Sequence, residues 1–178
     1  MSNFKTLILI SGIAVLINAC STTTESTATG LGQPVLSADL AAFDLVVGPD
    51  GSNLPAGSGT ANQGEAVYQA KCQSCHGNSG QGMTGNTQLV GGSMQSAERP
   101  LRTVGSYWPY STTVFDFIRR AMPANAPKSL SNDEVYQVTA YLLYLNGIVE
   151  RDAVLNAQSL PNVAMPNQAG FIDQSHLQ

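Results

Sequence analysis

Cys72-Gln73-Ser74-Cys75-His76 is a C-x-x-C-H run, and the reading of the whole chain turns on it. Two thiols spaced i, i+3 on one turn can each bond to a haem vinyl group, and the imidazole beside the second then reaches the iron. The pattern predicts one covalently attached haem c, held by Cys72 and Cys75, with His76 as the proximal axial ligand. Two other chemistries use similar runs. Zinc takes about four ligands, usually with a second Cys or His pair at short spacing, but outside this run the chain offers only Cys20 and His176. A thioredoxin-like redox pair belongs in a βαβ context, whereas the flanks here are helical and Gly-rich.

The chain has 178 residues, 43% apolar and 11% charged, which suits one ordinary domain with appendages. A formal charge of −4 gives no reason to expect nucleic acid as a partner. The charge is uneven, however. From Gly64 to Leu130 six basic residues (Lys71, Arg99, Arg102, Arg119, Arg120 and Lys128) face three acidic ones (Glu65, Glu98 and Asp116), so the part around the motif is locally positive. A solvated face explains this simply; an acidic docking partner is the sharper reading.

Residues 1–19 read as an export signal, with Lys5 followed by an apolar run from Leu7 to Ile17 that is too short to span a bilayer. It reaches Ile17-Asn18-Ala19-Cys20, which resembles the lipobox of bacterial lipoproteins, and that resemblance implies lipidation at Cys20 and a periplasmic, membrane-anchored protein. Ser21 then permits sorting to the outer membrane. With one thiol for lipid and two for haem, no cysteine is left for a structural disulfide. Residues 20–35 lack large apolar groups over most of their length and read as a tether, spanning about 18 Å for ten residues. Residues 36–62 read as an extension packed on the domain through Phe43, Leu45 and Val47, with a short helix from Ser37 to Phe43.

Residues 63–150 carry the helical pattern. Gly64–Cys72 is predicted as the first core helix, with Ala66, Val67 and Ala70 on one face and the haem motif at its end. Ser111–Ala121 repeats Val114, Phe117, Ile118 and Ala121 at helical spacing until Pro123 stops it. Ser131–Asn146 begins with a capping box of Ser131 and Glu134, repeats Val135, Val138, Leu142 and Leu145, and stops at Gly147. No run alternates convincingly as a strand, so the architecture is all-α, with residues 151–178 as a C-terminal extension.

A helix ending in C-x-x-C-H, a later Met-Pro and a terminal helix opened by Ser-Leu-Ser-Asn-Asp-Glu-Val together resemble class I cytochrome c. The resemblance implies a helical domain enclosing the haem, with first and last helices crossing where Gly64 and Tyr68 meet Tyr141. Candidates for the sixth ligand are Met83, Met94, Met122, Met165 and His176. Met122 is favoured, because it follows an amphipathic helix, is fixed by Pro123 and matches the family's Met-Pro; Met165, also followed by Pro, is the alternative. Arg102, Tyr107 and Trp108 are candidate donors to the haem propionates. The chain lacks the Pro whose carbonyl commonly accepts the proximal histidine's N–H in that family, so a carbonyl in Leu89–Gly92 is expected to serve.

Gly30-Leu31-Gly32-Gln33-Pro34, the Gly51–Gly59 loop, Thr103-Val104-Gly105-Ser106-Tyr107-Trp108-Pro109-Tyr110 and Arg119-Arg120-Ala121-Met122-Pro123 are similar to the cytochrome subunits of Sox-type sulfur dehydrogenases and of molybdenum sulfite dehydrogenases. That similarity implies single-electron transfer from a molybdenum-containing dehydrogenase to a downstream cytochrome or terminal oxidase, with the catalysis in the partner. General electron carriage for another dehydrogenase is an alternative. So is a haem enzyme or gas sensor with a labile sixth ligand, against which a stable methionine would argue.

Overall fold

The structure is a computed structural model that describes residues 32, 35–40, 45–96 and 99–172. The signal and lipobox with Cys20, most of the tether, Phe43 and His176 lie outside the described residues. Residues 1–39 and 40–178 form separate units. Helix α1, Ser37–Leu40, falls at their junction.

Three helices build the second unit: α2 (Ala61–Lys71), α4 (Ser111–Ala121) and α5 (Asn132–Leu145), with the single turn α3 (Gln73–His76) directly after α2. Both α2 and α5 begin on a capping box, Thr60 with Gln63 and Ser131 with Glu134, so each helix satisfies its own first N–H groups. α5 stops where Gly147 takes a φ of +68°, a left-handed value that glycine adopts without steric cost.

The inner face of α2 differs from the one its apolar residues suggest. The helix begins three residues before Gly64, and Ala66 and Ala70 are exposed while Val67 is half-buried. Ala61, Gly64 and Tyr68 are the buried residues. The reason is the close crossing with α5: a Cβ on Gly64 would lie 1.9 Å from the Gln137 carbonyl oxygen, and Tyr68 and Tyr141 meet with ring centroids 5.3 Å apart. Close approach of backbones, rather than hydropathy, sets the face.

α4 packs on α5 through Val114, Phe115 and Ile118, and Phe115 lies 4.4 Å from Tyr136, centroid to centroid. Burying a side chain such as Phe115 completely contributes about 1.5–3 kcal/mol. Phe117, on the predicted apolar stripe, is 43% exposed and rests edge-on against Trp108 at 5.5 Å.

The mostly helical expectation holds, with one small addition. β1 (Ser58–Gly59) pairs antiparallel with β2 (Leu155–Asn156), tying the segment before α2 to the segment after α5. Chain on both flanks is stitched to the helices. Tyr136 Oη donates to Pro55 O at 3.0 Å, the Ser58 N–H to Asp133 Oδ1 at 2.8 Å, and Ser111 Oγ to Leu160 O at 2.6 Å. Leu160 and Met165, beyond the last helix, are buried in the core. No helix among the described residues is long and apolar enough to cross a membrane.

Candidate haem site

α2 ends at Cys72, whose N–H donates to Tyr68 O at 2.8 Å, and the chain turns at once into α3. The N–H groups of Cys75 and His76 both donate to Cys72 O, at 3.1 and 3.0 Å, so two thiols and an imidazole sit on one tight turn. Gly77 closes that turn at a φ of +79°, and its carbonyl accepts the Tyr68 hydroxyl at 2.8 Å, locking the motif to the α2–α5 crossing. Cys72 is half-buried and Cys75 exposed, both as free thiols. Burial, helped by neighbouring Cys75, pushes the Cys72 thiol up to about 11, so it is neutral at physiological pH.

His76 Nδ1 lies 2.9 Å from Thr87 O. A carbonyl can only accept, so Nδ1 carries the proton and Nε2 keeps the lone pair that a metal needs. The acceptor expected in Leu89–Gly92 is thus supplied two residues earlier. Three of those four carbonyls are engaged elsewhere. Leu89 O accepts from the Val104 N–H and Asn146 Nδ2, each at 3.2 Å, Val90 O from Gln88 Nε2 at 2.7 Å, and Gly91 O from Thr103 Oγ1.

Asn146, in the sequence only the last residue of the predicted terminal helix, is the clamp of this loop. Its Oδ1 accepts the Gly91 N–H at 3.0 Å while Nδ2 reaches Leu89 O and, at 2.8 Å, Leu142 O. The 101–106 loop reaches the same carbonyls through Thr103 Oγ1 and the Val104 N–H, and is braced within itself: Ser106 Oγ donates to Leu101 O at 2.6 Å and accepts the Thr103 N–H at 2.9 Å. Gly105 must be glycine here, because a Cβ would fall 2.3 Å from Asn146 Oδ1.

Met122 caps the C-terminus of α4, its N–H donating to Ile118 O at 3.0 Å, and its half-buried side chain packs against the core. Met165, the alternative, is 4% exposed within the core cluster. Met83 is exposed and Met94 half-buried. Among the propionate candidates, Arg102 and Tyr107 come together, the guanidinium carbon 4.9 Å from the ring centroid, while Trp108 pairs instead with Phe117 of α4.

Asp116 enters the sequence reading only as one of three acidic residues between Gly64 and Leu130, with no structural role. It is 6% exposed, accepts the Val47 N–H at 2.9 Å on Oδ1, and is paired with Arg120 through Nε at 2.9 Å and through Nη2. Its spacing from Arg120 suggests only a solvated surface pair.

A family model described as Cytochrome C oxidase, cbb3-type, subunit III matches residues 59–142. Among solved structures, the chain is similar to a chain of the sulfane dehydrogenase SoxCD from Paracoccus pantotrophus. The TM-score is 0.76 and the identity 41%, over 84% of this chain and 74% of that one. A comparison with curated proteins gave no match. The fold and the 41% relative together define the class: the chain belongs to the class I c-type cytochromes, and resembles the cytochrome of the Sox system. It is a cytochrome c electron-transfer domain, and its family implies haem c.

The donor set fits that group. Adjacent thiols, an imidazole whose Nε2 is the basic nitrogen, and half-buried apolar side chains at Leu89, Trp108 and Met122 suit a flat apolar macrocycle with axial nitrogen and sulfur ligands. Zinc is served poorly: no cluster of three or more His, Cys, Asp or Glu residues suited to a metal ion occurs among the described residues.

Proposed function

We propose that this chain is a periplasmic, membrane-tethered monohaem cytochrome c. It takes single electrons from a molybdenum-containing dehydrogenase acting on sulfite or a related sulfur compound, and passes them to a downstream cytochrome or terminal oxidase. The C-x-x-C-H turn carries the redox half of this reading, and the 41% likeness to a chain of a sulfane dehydrogenase supports the sulfur half. A covalently held haem supplies a ferric–ferrous couple that moves one electron without a proton.

The chain's own residues have distinct tasks. Cys72 and Cys75 would hold the haem covalently through their sulfurs. His76 presents Nε2 because Thr87 O holds Nδ1, and that bond makes the imidazole a stronger donor. Met122 supplies a thioether, a soft ligand that favours the ferrous state and raises the potential. Its half-exposed position at the end of α4 leaves it available, whereas Met165 is enclosed by the core. Cys20 carries the lipid that keeps the domain at the membrane.

The locally basic surface supports docking on a more acidic dehydrogenase. Arg119 and Arg120 already have internal partners, Leu45 O at 3.3 Å and the Asp116 carboxylate, so salt dependence is a cleaner probe of docking than their removal. In stopped-flow mixing, sulfite alone should reduce the cytochrome slowly, and the cognate molybdenum dehydrogenase should make reduction fast and sensitive to ionic strength. No acceleration at low salt would end the sulfur role. In the same protein Met122→Ala should abolish the methionine-to-ferric-iron charge-transfer band and lower the potential, while persistence of the band would move the ligand elsewhere.

A further inference from the structure

The restraint on Met122 comes from one side. Residues 124–129, which follow Met122-Pro123, are exposed throughout, so the loop after the methionine has little to hold it. Apart from the packing of its own side chain on the core, Met122 is held through α4.

α4 lacks a side-chain cap at Tyr110 but is bound along its length by the irregular segment from Leu45 to Pro49. Thr112 Oγ1 donates to Pro49 O at 3.2 Å, the Asp116 carboxylate accepts the Val47 N–H at 2.9 Å, and Arg119 Nη1 donates to Leu45 O at 3.3 Å. The order runs backwards along the strap as it runs forwards along the helix. From position 112 to 119 a helix rises about 10 Å, and the three bonds are spread over that length. The strap therefore lies antiparallel on α4.

The central bond is the shortest of the three and is buried; like the Arg119 bond it has a charged partner, and hydrogen bonds to charged groups exceed neutral ones. Arg120 neutralises the same carboxylate, so removing Asp116 would also free a guanidinium in the last turn of the helix. A carboxylate with so little exposure is costly unless it is fully paired. Here both oxygens are used: Oδ1 joins the Val47 N–H of the strap to the helix that ends at Met122, and Arg120, on the same helix, pairs with both oxygens.

We propose that Asp116 is a positioning residue for Met122: by pinning the 45–49 strap to α4 it fixes the helix end that delivers the thioether, and so keeps external ligands off the iron. The proposal rests on the reading of Met122 as the axial ligand. Asp116 touches no reacting atom; it acts through the helix.

The test uses the full-length haem-loaded cytochrome and reads the affinity of the ferric protein for imidazole, together with the methionine charge-transfer band. Asp116→Ala should bind imidazole about tenfold more tightly than wild type, the size set by one lost hydrogen bond to a carboxylate, with a weakened band. Asp116→Asn, which keeps an acceptor for Val47, should fall between. Val47→Pro removes the donor while leaving the sequence of α4 unchanged, at the cost of altered core packing at Val47, and serves if Asp116→Ala does not fold; it should tighten imidazole binding similarly, and the two effects together should be less than additive. If Met122→Ala retains the band, the ligand reading itself is wrong. If Met122→Ala loses the band but Asp116→Ala and Val47→Pro bind imidazole as weakly as wild type, Asp116 merely holds the fold together and the proposal is overturned while the ligand reading stands.

Discussion

The α2–α5 crossing and α4 are two helical regions held by opposite means. α2 and α5 each carry a complete capping box and meet through close-packed backbone at Gly64, so their arrangement is set by local sequence and sterics. α4 has no side-chain cap and depends on bonds from irregular chain: Leu160 at its start, then Pro49, Val47 and Leu45 in turn. The histidine motif hangs from the first region and the proposed methionine ligand from the second. A steric crossing either closes or does not, while a row of hydrogen bonds can be loosened one at a time. Substitutions in the crossing should therefore show in global stability, and substitutions along α4 should show first in how firmly the methionine is held.

Gly64→Ala is the harshest way to break the crossing. Alanine would improve helix propensity by about 1 kcal/mol, but its Cβ would fall 1.9 Å from the Gln137 carbonyl oxygen and 2.9 Å from the Tyr141 Cβ. Backbone cannot swing aside as a flexible side chain can, so the clash should dominate and cost about 4 kcal/mol, above the common range for overpacking. Denaturant unfolding of the haem-loaded protein measures it. A loss under about 1 kcal/mol would mean that the helices do not approach so closely.

Met165→Ala separates the two methionines. Truncating a core methionine costs about 3 kcal/mol through lost burial and the cavity left behind, and Met165 is 4% exposed in the core. The unfolding midpoint should drop while the charge-transfer band keeps its position and intensity. Loss of the band with stability unchanged would reverse the roles of Met122 and Met165.

The crossing was only half legible in the sequence, for a physical reason. Apolar periodicity picked out Ala66, Val67 and Ala70, but the face that matters is organised by a glycine, which has no hydropathy to register. α4 and α5 were readable to within a residue because each combines an amphipathic repeat with a stop signal, Pro123 for one and Gly147 for the other. In the site, the Cys72-Cys75-His76 turn was evident because its chemistry demands that spacing. The histidine's acceptor was not, since every residue carries a carbonyl and only the competition for Leu89, Val90 and Gly91 selects Thr87. The role of Asp116 was invisible because its decisive partner, the Val47 N–H, is 69 positions away.

Alkaline pH offers a graded probe of the crossing. Burial above all raises the Tyr68 hydroxyl from 10.0 to about 12, with a smaller push from a Cys72 thiolate that haem attachment would remove, and burial raises Tyr136 and Tyr141 as well. Between those two values an unfolded chain has lost the Tyr68 proton and the folded one retains it. The folded state binds more protons, so stability is intact below pH 10 and falls as pH rises toward 12. A shift of that size corresponds to about 2–3 kcal/mol for Tyr68. Tyr68→Phe should flatten the decline, at a neutral-pH cost of about 1 kcal/mol for the lost bond to Gly77. Equal alkaline slopes in variant and wild type would show that Tyr68 titrates normally.

The smallest effect expected is at the cap of α5, and it sharpens the contrast between the two regions. Ser131 accepts the Glu134 N–H at 3.3 Å while the Glu134 carboxylate accepts the Ser131 N–H at 2.8 Å, so Ser131→Ala removes one half of the box and leaves the other. Losing a serine cap costs about 1 kcal/mol. α5 is the central helix of the core, with Val135, Tyr136 and Val138 to Leu143 all buried, so the loss should register as a small shift of the whole unfolding transition without local fraying. Imidazole affinity should not move at all, because nothing at Ser131 bears on α4. Asp116→Ala is expected to do the reverse, changing ligand affinity well below the unfolding transition. If Ser131→Ala tightened imidazole binding as much as Asp116→Ala, the methionine would be responding to overall stability alone, and the division between a steric region and a strapped one would collapse.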